Sequence, residues 1–230
     1  MFFGESAPCP HCQAHTRTVD HLASRCERIL SFDYTKRHNE VVRCIHLLMC
    51  NKYGFRRTRK IRGHSVQEVI ENEHAEIRVD TRIHTGTKIA HDKPDIFVRD
   101  KKRNEITLIE VGIKSQEQLL TTETTKLRKY DLLAGLLAQN YKCKTKVIPY
   151  VMTWDGIVTG CHKRYVKELG LTSSIEAYIQ SIVLKETFST VSFDRRRREA
   201  EGRTTQEGSE YAISRLLAAM STSEPQSYIA

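Results

Sequence analysis

The stretch that decides the fold is residues 93–114, which read KPDIFVRDKKRNEITLIEVGIK. Within it, residues 94–99 and 106–113 are short runs of mainly apolar side chains, and a charged segment containing Asn104 separates them. Two such runs on either side of a polar turn are typical of a β-hairpin. We therefore expect two antiparallel strands here, with the neighbouring elements arranged around them.

Upstream of this hairpin, the sequence predicts two helices and one further strand. Residues 37–53 repeat apolar side chains at helical spacing, and residues 76–83 alternate apolar and polar side chains as a half-buried strand does. Between them, residues 65–68 read Ser-Val-Gln-Glu, which has the form of a capping box. That pattern predicts the start of a short helix.

Downstream of the hairpin, residues 115–139 predict a second long helix and residues 145–153 a fourth strand. Pro149 favours an edge position or a bulge for that strand, because proline cannot donate to the hydrogen-bonding ladder. Two amphipathic helices, at residues 161–169 and 174–188, follow. The order indicates a mixed α/β fold in which the crossover helix carries the chain to a parallel strand.

The charge balance indicates the class of partner. The chain has 230 residues, with 37 Lys and Arg against 28 Asp and Glu, and a formal net charge of +9. A basic excess favours a polyanionic partner, nucleic acid before a membrane surface. The apolar runs are much shorter than the roughly 18 residues of a membrane-spanning helix, so we expect no membrane partner.

Composition divides the chain into three parts. Residues 1–27 are polar and hold three of the seven cysteines, which suits a small metal-binding segment. Residues 28–194 carry the alternating helix and strand patterns and are expected to form one domain. Residues 195–230 begin with four consecutive arginines, a candidate phosphate contact or nuclear localisation element. The acidic remainder of this part is expected to be a disordered tail.

The first part has the ligand spacing of a zinc site. Four soft or borderline ligands follow the pattern Cys-x2-Cys-x8-His-x4-Cys, which suits tetrahedral zinc in a segment too small for its own core. The predicted ligands are Cys9, Cys12, His21 and Cys26. His11 and His15 also lie within the motif, and His15 is a less plausible ligand than His21. The alternative is a set of unrelated Cys and His residues in a flexible terminus. Cys44 and Cys50 fall on the apolar side of the first helix and are expected to be core thiols.

The hairpin brings two carboxylates together. In an antiparallel pair, Asp95 at the start of one strand lies beside Glu110 near the end of the next. Two adjacent carboxylates form a hard-oxygen site for magnesium. Glu110 also interrupts an apolar strand, where a charge is costly unless it is paired or bound to metal. The alternative is a pair of ordinary carboxylates at a strand edge.

A lysine is expected beside this pair. The pattern for this metal chemistry would be Glu-x-Lys, with the lysine on the same side of the strand, but Gly112 occupies that position. Lys126 lies in the otherwise core-facing stripe of the crossover helix, and we expect it to reach over Gly112 to the carboxylates. Lys129 is the second choice and Lys114 the third. The alternative for each is a solvated lysine.

Taken in order, these motifs resemble the C-terminal end of site-specific non-LTR retrotransposon proteins, over about residues 9–190. Such proteins carry a zinc knuckle followed by a restriction-like endonuclease of the PD-(D/E)xK superfamily. Each motif is weak alone, and the series is specific. The series consists of the Cys-Cys-His-Cys spacing, Arg-His-Asn at 37–39, Lys-Pro-Asp at 93–95 with Glu110, and Lys-Leu-Arg-Lys-Tyr at 126–130.

The resemblance implies a restriction-endonuclease-like mixed sheet flanked by helices, preceded by a small CCHC zinc knuckle. It implies a nuclear enzyme that nicks target DNA and leaves a 3′-hydroxyl and a 5′-phosphate. In this family the 3′-hydroxyl primes reverse transcription, so element RNA and an upstream-encoded reverse transcriptase domain are further implied partners.

The resemblance also implies roles for individual residues. Asp95 and Glu110 would hold Mg²⁺ or Mn²⁺, and Lys126 would orient or activate the attacking water. In this family the catalytic lysine is displaced onto the helix, which favours Lys126. The chain departs from the family at Glu110, where aspartate is more usual.

Two further residues have weaker assignments. Glu40, in the first helix, is a candidate for completing the metal shell, because related nucleases often place an acid there. The alternative is a surface glutamate beside Arg37 and Arg43. Tyr130 is expected to pack against Lys126 or to contact phosphate.

Two basic segments are candidate phosphate contacts beside the cut, with solvated loops as the alternative. Their residues are Arg56, Arg57, Arg59, Lys60 and Arg62 in one segment and Lys101, Lys102 and Arg103 in the other. The alternative to an endonuclease is a catalytically inactive, zinc-dependent nucleic-acid-binding module derived from such an element. A transcription regulator built around the knuckle would leave Glu110 unexplained.

Overall fold

The fold is built on a five-stranded sheet of mixed direction. Its strands follow one another in space as they do in sequence: β1 (Val69–Glu71), β2 (Ala75–Val79), β3 (Ile96–Asp100), β4 (Glu105–Lys114) and β5 (Lys144–Thr153). The pairs β1–β2, β2–β3 and β3–β4 are antiparallel, and β5 is parallel to β4. This is a computed structural model that describes residues 7–55, 61 and 63–202.

Helices flank the sheet, and the expected mixed α/β fold is confirmed. They are α1 (Val19–Ser24), α2 (Glu27–Lys52), α3 (Leu119–Lys129), α4 (Asp131–Tyr141), α5 (His162–Leu169) and α6 (Ser173–Gly202), with a 3₁₀ turn at Gln116–Gln118. The chain divides into two units, Met1–Val191 and Ser192–Ala230, and the whole sheet belongs to the first. None of the helices within the described residues is long and apolar enough to cross a membrane.

Alternate strand residues build two hydrophobic cores. Ile109 and Val111 of β4 pack with α2, α5 and α6 in the larger core. Leu108 of the same strand packs with α4 residues such as Leu133 in the smaller core. Because successive side chains point to opposite faces of a strand, one apolar run can serve both cores. This burial on two faces explains why residues 106–113 are apolar almost without interruption.

Pro149 lies on the last strand of the sheet, which is one of the two alternatives that the sequence predicts. β5 pairs with β4 alone among the described strands, with Pro149 opposite Glu110. The predicted hairpin is also confirmed, since β3 and β4 pair antiparallel with Asp100 opposite Glu105. A turn at 101–104 joins them, and Asn104 takes the left-handed backbone conformation, at φ +52°.

Three local predictions are wrong. Residues 65–68 do not begin a helix, and they lead instead into β1, which pairs with β2. β2 ends at Val79 rather than residue 83, because Asp80 turns the chain away with φ +48°. The helix expected over 115–139 is two helices, because Tyr130 leaves helical geometry, at φ −109° and ψ 9°.

Two helices are longer than expected. α2 begins at Glu27, ten residues before the predicted start, so it follows directly from the last predicted zinc ligand, Cys26. α6 runs to Gly202 and includes the backbone of the arginine run at 195–198. The acidic remainder of the predicted tail, residues 203–230, lies outside the described residues.

Candidate functional site

The four predicted zinc ligands meet at the start of the chain. A turn over residues 9–13 presents the first cysteine pair; in it, Gln13 N–H donates to the Cys9 carbonyl at 2.8 Å and Gln13 has φ +58°. Thr18 caps α1 by accepting from the N–H of His21 at 3.0 Å, which fixes the third ligand. Cys26, the fourth ligand, is the N-cap residue of α2.

The spacing of the ligand atoms suits a tetrahedral zinc ion. All four lie within 4.8 Å of one another, with Cys9 Sγ 3.8 Å from Cys26 Sγ and Cys12 Sγ 3.3 Å from His21 Nε2. Zn–S bonds of about 2.3 Å in a tetrahedron separate two sulfurs by about 3.8 Å. The group contains His21, and neither His11 nor His15 belongs to it. These residues could therefore hold a metal ion such as zinc.

The pKa shifts at this cluster act in different directions. Burial raises the pKa of Cys26 to about 11 and lowers the pKa of His21. A hydrogen bond from the backbone of Ala14 lowers the pKa of Cys12. The neutral imidazole is the form that binds zinc, whereas the buried Cys26 thiol needs a cation beside it to ionise at neutral pH.

Polar contacts fix this segment to the sheet domain. Trp154 Nε1, just beyond β5, donates to Asp20 Oδ1 at 2.8 Å. Arg25 pairs with Asp20 at 3.1 Å and also with Glu117 before α3. Arg37, which is 1% exposed, donates from α2 to the Ala23 carbonyl and to Thr187 of α6. The metal cluster therefore has a fixed position relative to the sheet.

Asp95 and Glu110 lie side by side at one end of the hairpin. Asp95 directly precedes β3, whose first residue Ile96 pairs with Ile109. The N–H of Val111 donates to Asp95 Oδ2 at 2.7 Å, and the N–H of Asp95 donates to Glu110 Oε2 at 3.4 Å. The register of the hairpin thus brings the two predicted carboxylates together.

Two lysines from α3 meet on one oxygen of Glu110. Lys126 Nζ and Lys129 Nζ each lie 2.9 Å from Glu110 Oε1. Glu110 is only 3% exposed, so these cations offset the cost of burying its charge. Lys126 reaches the carboxylate over Gly112, where a Cβ atom would lie 2.8 Å from Lys126 Cε.

The third candidate lysine and the helix acid lie elsewhere. Lys114 Nζ sits over the ring of Tyr34, 5.5 Å from its centroid. Glu40 forms an ion pair with Arg43 one turn along α2, and no described hydrogen bond or ion pair joins it to Asp95. Helix residues two apart do not share a face, so Glu40 and His38 point in different directions from α2.

His38 is the site residue to which the sequence assigns no role. Its Nε2 lies 3.1 Å from Asp95 Oδ2. Although burial opposes charge on both groups, their mutual hydrogen bond raises the pKa of His38 and lowers the pKa of Asp95. The residues Arg-His-Asn at 37–39 were the available signal, but only the packing of α2 against the sheet brings His38 to Asp95.

Tyr130 anchors the break between α3 and α4. Its hydroxyl donates to the Lys93 carbonyl at 2.8 Å, and its ring lies in the smaller core, 1% exposed. Burial and the negative charge of Glu110 raise the pKa of Tyr130. Lys129 Nζ lies 4.8 Å from the ring centroid. Tyr130 therefore packs beside the lysines and ties α3 to the loop before Asp95.

Of the two basic segments, only the cations of the second lie within the described residues. Arg56 to Lys60 and Arg62 lie outside the described residues. Lys102 and Arg103 are exposed at the hairpin turn, and Lys101 pairs with Glu71. Five residues of strand separate this turn from Asp95, a distance of about 17 Å. Cations at the turn would therefore lie about 17 Å along the hairpin from the carboxylate pair.

The chain has a mixed α/β domain, a Cys-Cys-His-Cys cluster and a carboxylate pair, buried Glu110 and partly exposed Asp95, with two lysines and a histidine. No protein-family model matches the chain, and no curated protein matches it.

Proposed function

We propose that this protein is a magnesium-dependent DNA endonuclease of the PD-(D/E)xK type. The observation that carries the proposal is the meeting of Asp95, Glu110 and Lys126 at one end of the β3–β4 hairpin. Two adjacent carboxylates with a lysine at hydrogen-bonding distance are what metal-assisted phosphodiester hydrolysis requires. A purely structural ion pair would need neither the second lysine nor the second carboxylate.

The donor set fits magnesium. Asp95 Oδ1 takes part in no hydrogen bond with a described residue, and Glu110 Oε2 accepts a long one of 3.4 Å. Magnesium prefers one or two carboxylates and keeps several waters, so these two oxygens would hold it. When bound, the ion would neutralise phosphate charge and lower the pKa of a bound water.

The protein's own groups have separable roles in this proposal. Lys126 orients the attacking water and offsets charge that develops on the phosphate. Lys129, on the same oxygen of Glu110, supports the charge balance. His38 holds Asp95 in place through its hydrogen bond, which makes it a positioning residue.

We further propose that the enzyme acts as retrotransposon endonucleases do, by nicking duplex DNA to leave a 3′-hydroxyl that primes reverse transcription. The order of the motifs supports this proposal: a Cys-Cys-His-Cys cluster comes first, followed by the carboxylates and the helix lysine. The net charge of +9 suits a nucleic-acid partner. A reverse transcriptase and its RNA template would be supplied in addition to this domain, and the site of action would be the nucleus.

The test is nicking of supercoiled plasmid with and without Mg²⁺. The unaltered protein is expected to nick in Mg²⁺ and to be inactive in EDTA. Asp95→Asn and Glu110→Gln are expected to lower the rate at least about 10³-fold while DNA binding survives. The matched control is Glu105→Gln, which alters the same residue type at the other end of β4 and should leave nicking unchanged.

The second candidate, an inactive zinc-dependent binding module, is favoured by one observation. Glu110 Oε1 already accepts from two lysines, so its charge is balanced without a metal ion. DNA binding with no Mg²⁺- or Mn²⁺-dependent cleavage of any duplex would favour this candidate.

Chemical analysis of the DNA ends at the nick tests the proposed priming role, because a polymerase can extend only a 3′-hydroxyl.

A further inference from the structure

A second group of metal-binding side chains lies away from the carboxylate pair and from the Cys-Cys-His-Cys cluster. His46 and Cys50 occupy one face of α2, four residues apart, and His64 approaches from the chain that follows the helix. All three are buried, with exposures of 1%, 1% and 4%. Their ligand atoms lie within 4.8 Å of one another, as those of the first cluster do.

The distances are close to those of a tetrahedral zinc site. His46 Nδ1 lies 2.8 Å from His64 Nε2, and Cys50 Sγ lies 3.7 Å from His46 Nδ1. Tetrahedral zinc separates two nitrogen ligands by about 3.3 Å and a nitrogen from a sulfur by about 3.6 Å. A shift of about half an ångström between the imidazoles would admit the ion.

Local structure explains why the three residues converge. Ligands four apart on a helix share a face, the spacing that helical zinc ligands use. Gly63 turns the chain with φ +78°, and the N–H of His64 donates to the Ile61 carbonyl at 3.0 Å. Ile61 packs against the larger core, so the turn fixes His64 over α2.

Burial argues that this group is more than core packing. Cys50 belongs to the larger hydrophobic core, among side chains such as Ile45 and Met49. The two imidazoles lie at hydrogen-bonding distance from each other beside this core. Imidazole nitrogen and thiolate sulfur are the ligands that zinc prefers, so the three groups together have the chemistry of a zinc site.

We propose that His46, Cys50 and His64 bind a second, structural zinc ion. Three protein ligands leave the fourth position of the tetrahedron to water or to another side chain. The ion would join the C-terminal part of α2 to the chain at residue 64. In the sequence, the cations of residues 56–62 lie between these two points. The zinc site itself does not depend on the proposed endonuclease.

The test is zinc stoichiometry of the full chain, produced with zinc and dialysed without a strong chelator. Native mass spectrometry and elemental analysis are expected to find two zinc ions per chain. Cys50→Ser and His64→Leu should each lower the count to one, and Cys9→Ser combined with Cys12→Ser should remove the other ion. Cys44→Ser, a buried thiol on the same helix, is the matched control and should keep both ions.

Cobalt substitution identifies the ligands. A cobalt ion at the second site should show the charge-transfer absorption of a single thiolate, and Cys50→Ser should abolish that part of the spectrum. His64→Cys keeps a zinc ligand and is expected to retain the second ion, which separates ligand loss from misfolding.

Either of two results would overturn the proposal: one zinc ion in the unaltered protein that Cys50→Ser does not remove, or two ions that persist in Cys50→Ser. Asp95→Asn should keep both ions, which excludes the carboxylate pair as the second zinc site. Because the measurement contains no DNA, a failure of the endonuclease proposal leaves this result intact.

Discussion

The side chain of Lys126 fills the space that a side chain at Gly112 would need. The Lys126 stem passes so close to Gly112 that a Cβ atom there would lie 2.8 Å from Lys126 Cε and 3.2 Å from Cδ. Gly112 and Glu110 are two residues apart on β4 and therefore face the same side of the sheet. A lysine from α3 thus fills the position that a side chain at residue 112 would take. The two positions are alternatives for delivering an ammonium group to Glu110.

Gly112→Ala is therefore expected to slow nicking about 10- to 100-fold, because a displacement of about 1 Å at a catalytic group has effects of that size. The free energy of unfolding should fall by only about 1 kcal/mol, since Lys126 Cε is the movable end of a side chain. Nicking rate and thermal melting measure the two effects. Gly135→Ala is the matched control: nothing lies within 4 Å of its added methyl group, and activity should be unchanged.

Moving the lysine from position 126 to position 112 tests whether either position can deliver an ammonium group to Glu110. Lys126→Ala should lower the nicking rate at least about 10²-fold. Adding Gly112→Lys to Lys126→Ala should recover a measurable part of that loss, because the new lysine faces the same carboxylate through the space that the old one vacated. Single-turnover nicking rates compare the variants. No recovery in a double variant that folds normally would argue against Lys126 as the catalytic lysine.

His38→Gln is expected to raise the Mg²⁺ concentration needed for half-maximal nicking about 10-fold or more. The hydrogen bond of 3.1 Å from His38 to Asp95 orients a proposed metal ligand, and losing such support typically costs about 10- to 100-fold in metal affinity or activity. A Mg²⁺ titration separates this effect from a general loss, because the rate at saturating metal should fall less. His74→Gln, at an exposed histidine, should leave the titration unchanged.

The hairpin was predictable because its signals are local. Two apolar runs and a polar turn define β3 and β4, and their antiparallel register then brings Asp95 beside Glu110. Pro149 predicted the edge of the sheet for an equally local reason, the missing N–H donor.

The failures concern contacts that local sequence patterns do not encode. Residues 65–68 have the local form of a helix start, yet β1 forms because Val69 and its neighbours pair with β2. His38 reaches Asp95 only through the packing of α2 on the sheet, across 57 residues of sequence. Periodicity classed Cys50 as a core thiol, and its burial agrees, but its closeness to His64 depends on a turn at Gly63.

Trp154 should report zinc at the first cluster. It is the single tryptophan of the chain, and its Nε1 donates to Asp20 in α1 at 2.8 Å. Because α1 carries His21, removal of zinc should loosen α1 and shift the tryptophan emission to longer wavelength. In Asp20→Ala the shift should already be present and a chelator should add little. A chelator that removes zinc from the unaltered protein without changing its emission would contradict this coupling.

The buried thiols should differ from the exposed one in their reaction with alkylating agents. Burial raises the pKa of Cys44 to about 12, so the native thiol stays neutral as the pH rises through the ordinary range of a cysteine. At about pH 9, roughly one Cys44 side chain in a thousand is then a thiolate, and contact with reagent is also blocked. Cys161 is exposed and should react within the ordinary time of a free thiol. Mass spectrometry of peptides after brief iodoacetamide treatment should find Cys161 modified and Cys44 unmodified, and unfolding in denaturant should make both react.

The raised pKa of Cys44 also makes the free energy of unfolding depend on pH. Because the folded pKa lies above the unfolded one, the contribution of Cys44 to this free energy is complete below about pH 8.5 and declines towards pH 12. Cys44→Ala should remove that decline. Rapid native labelling of Cys44 at neutral pH would contradict its burial against the sheet.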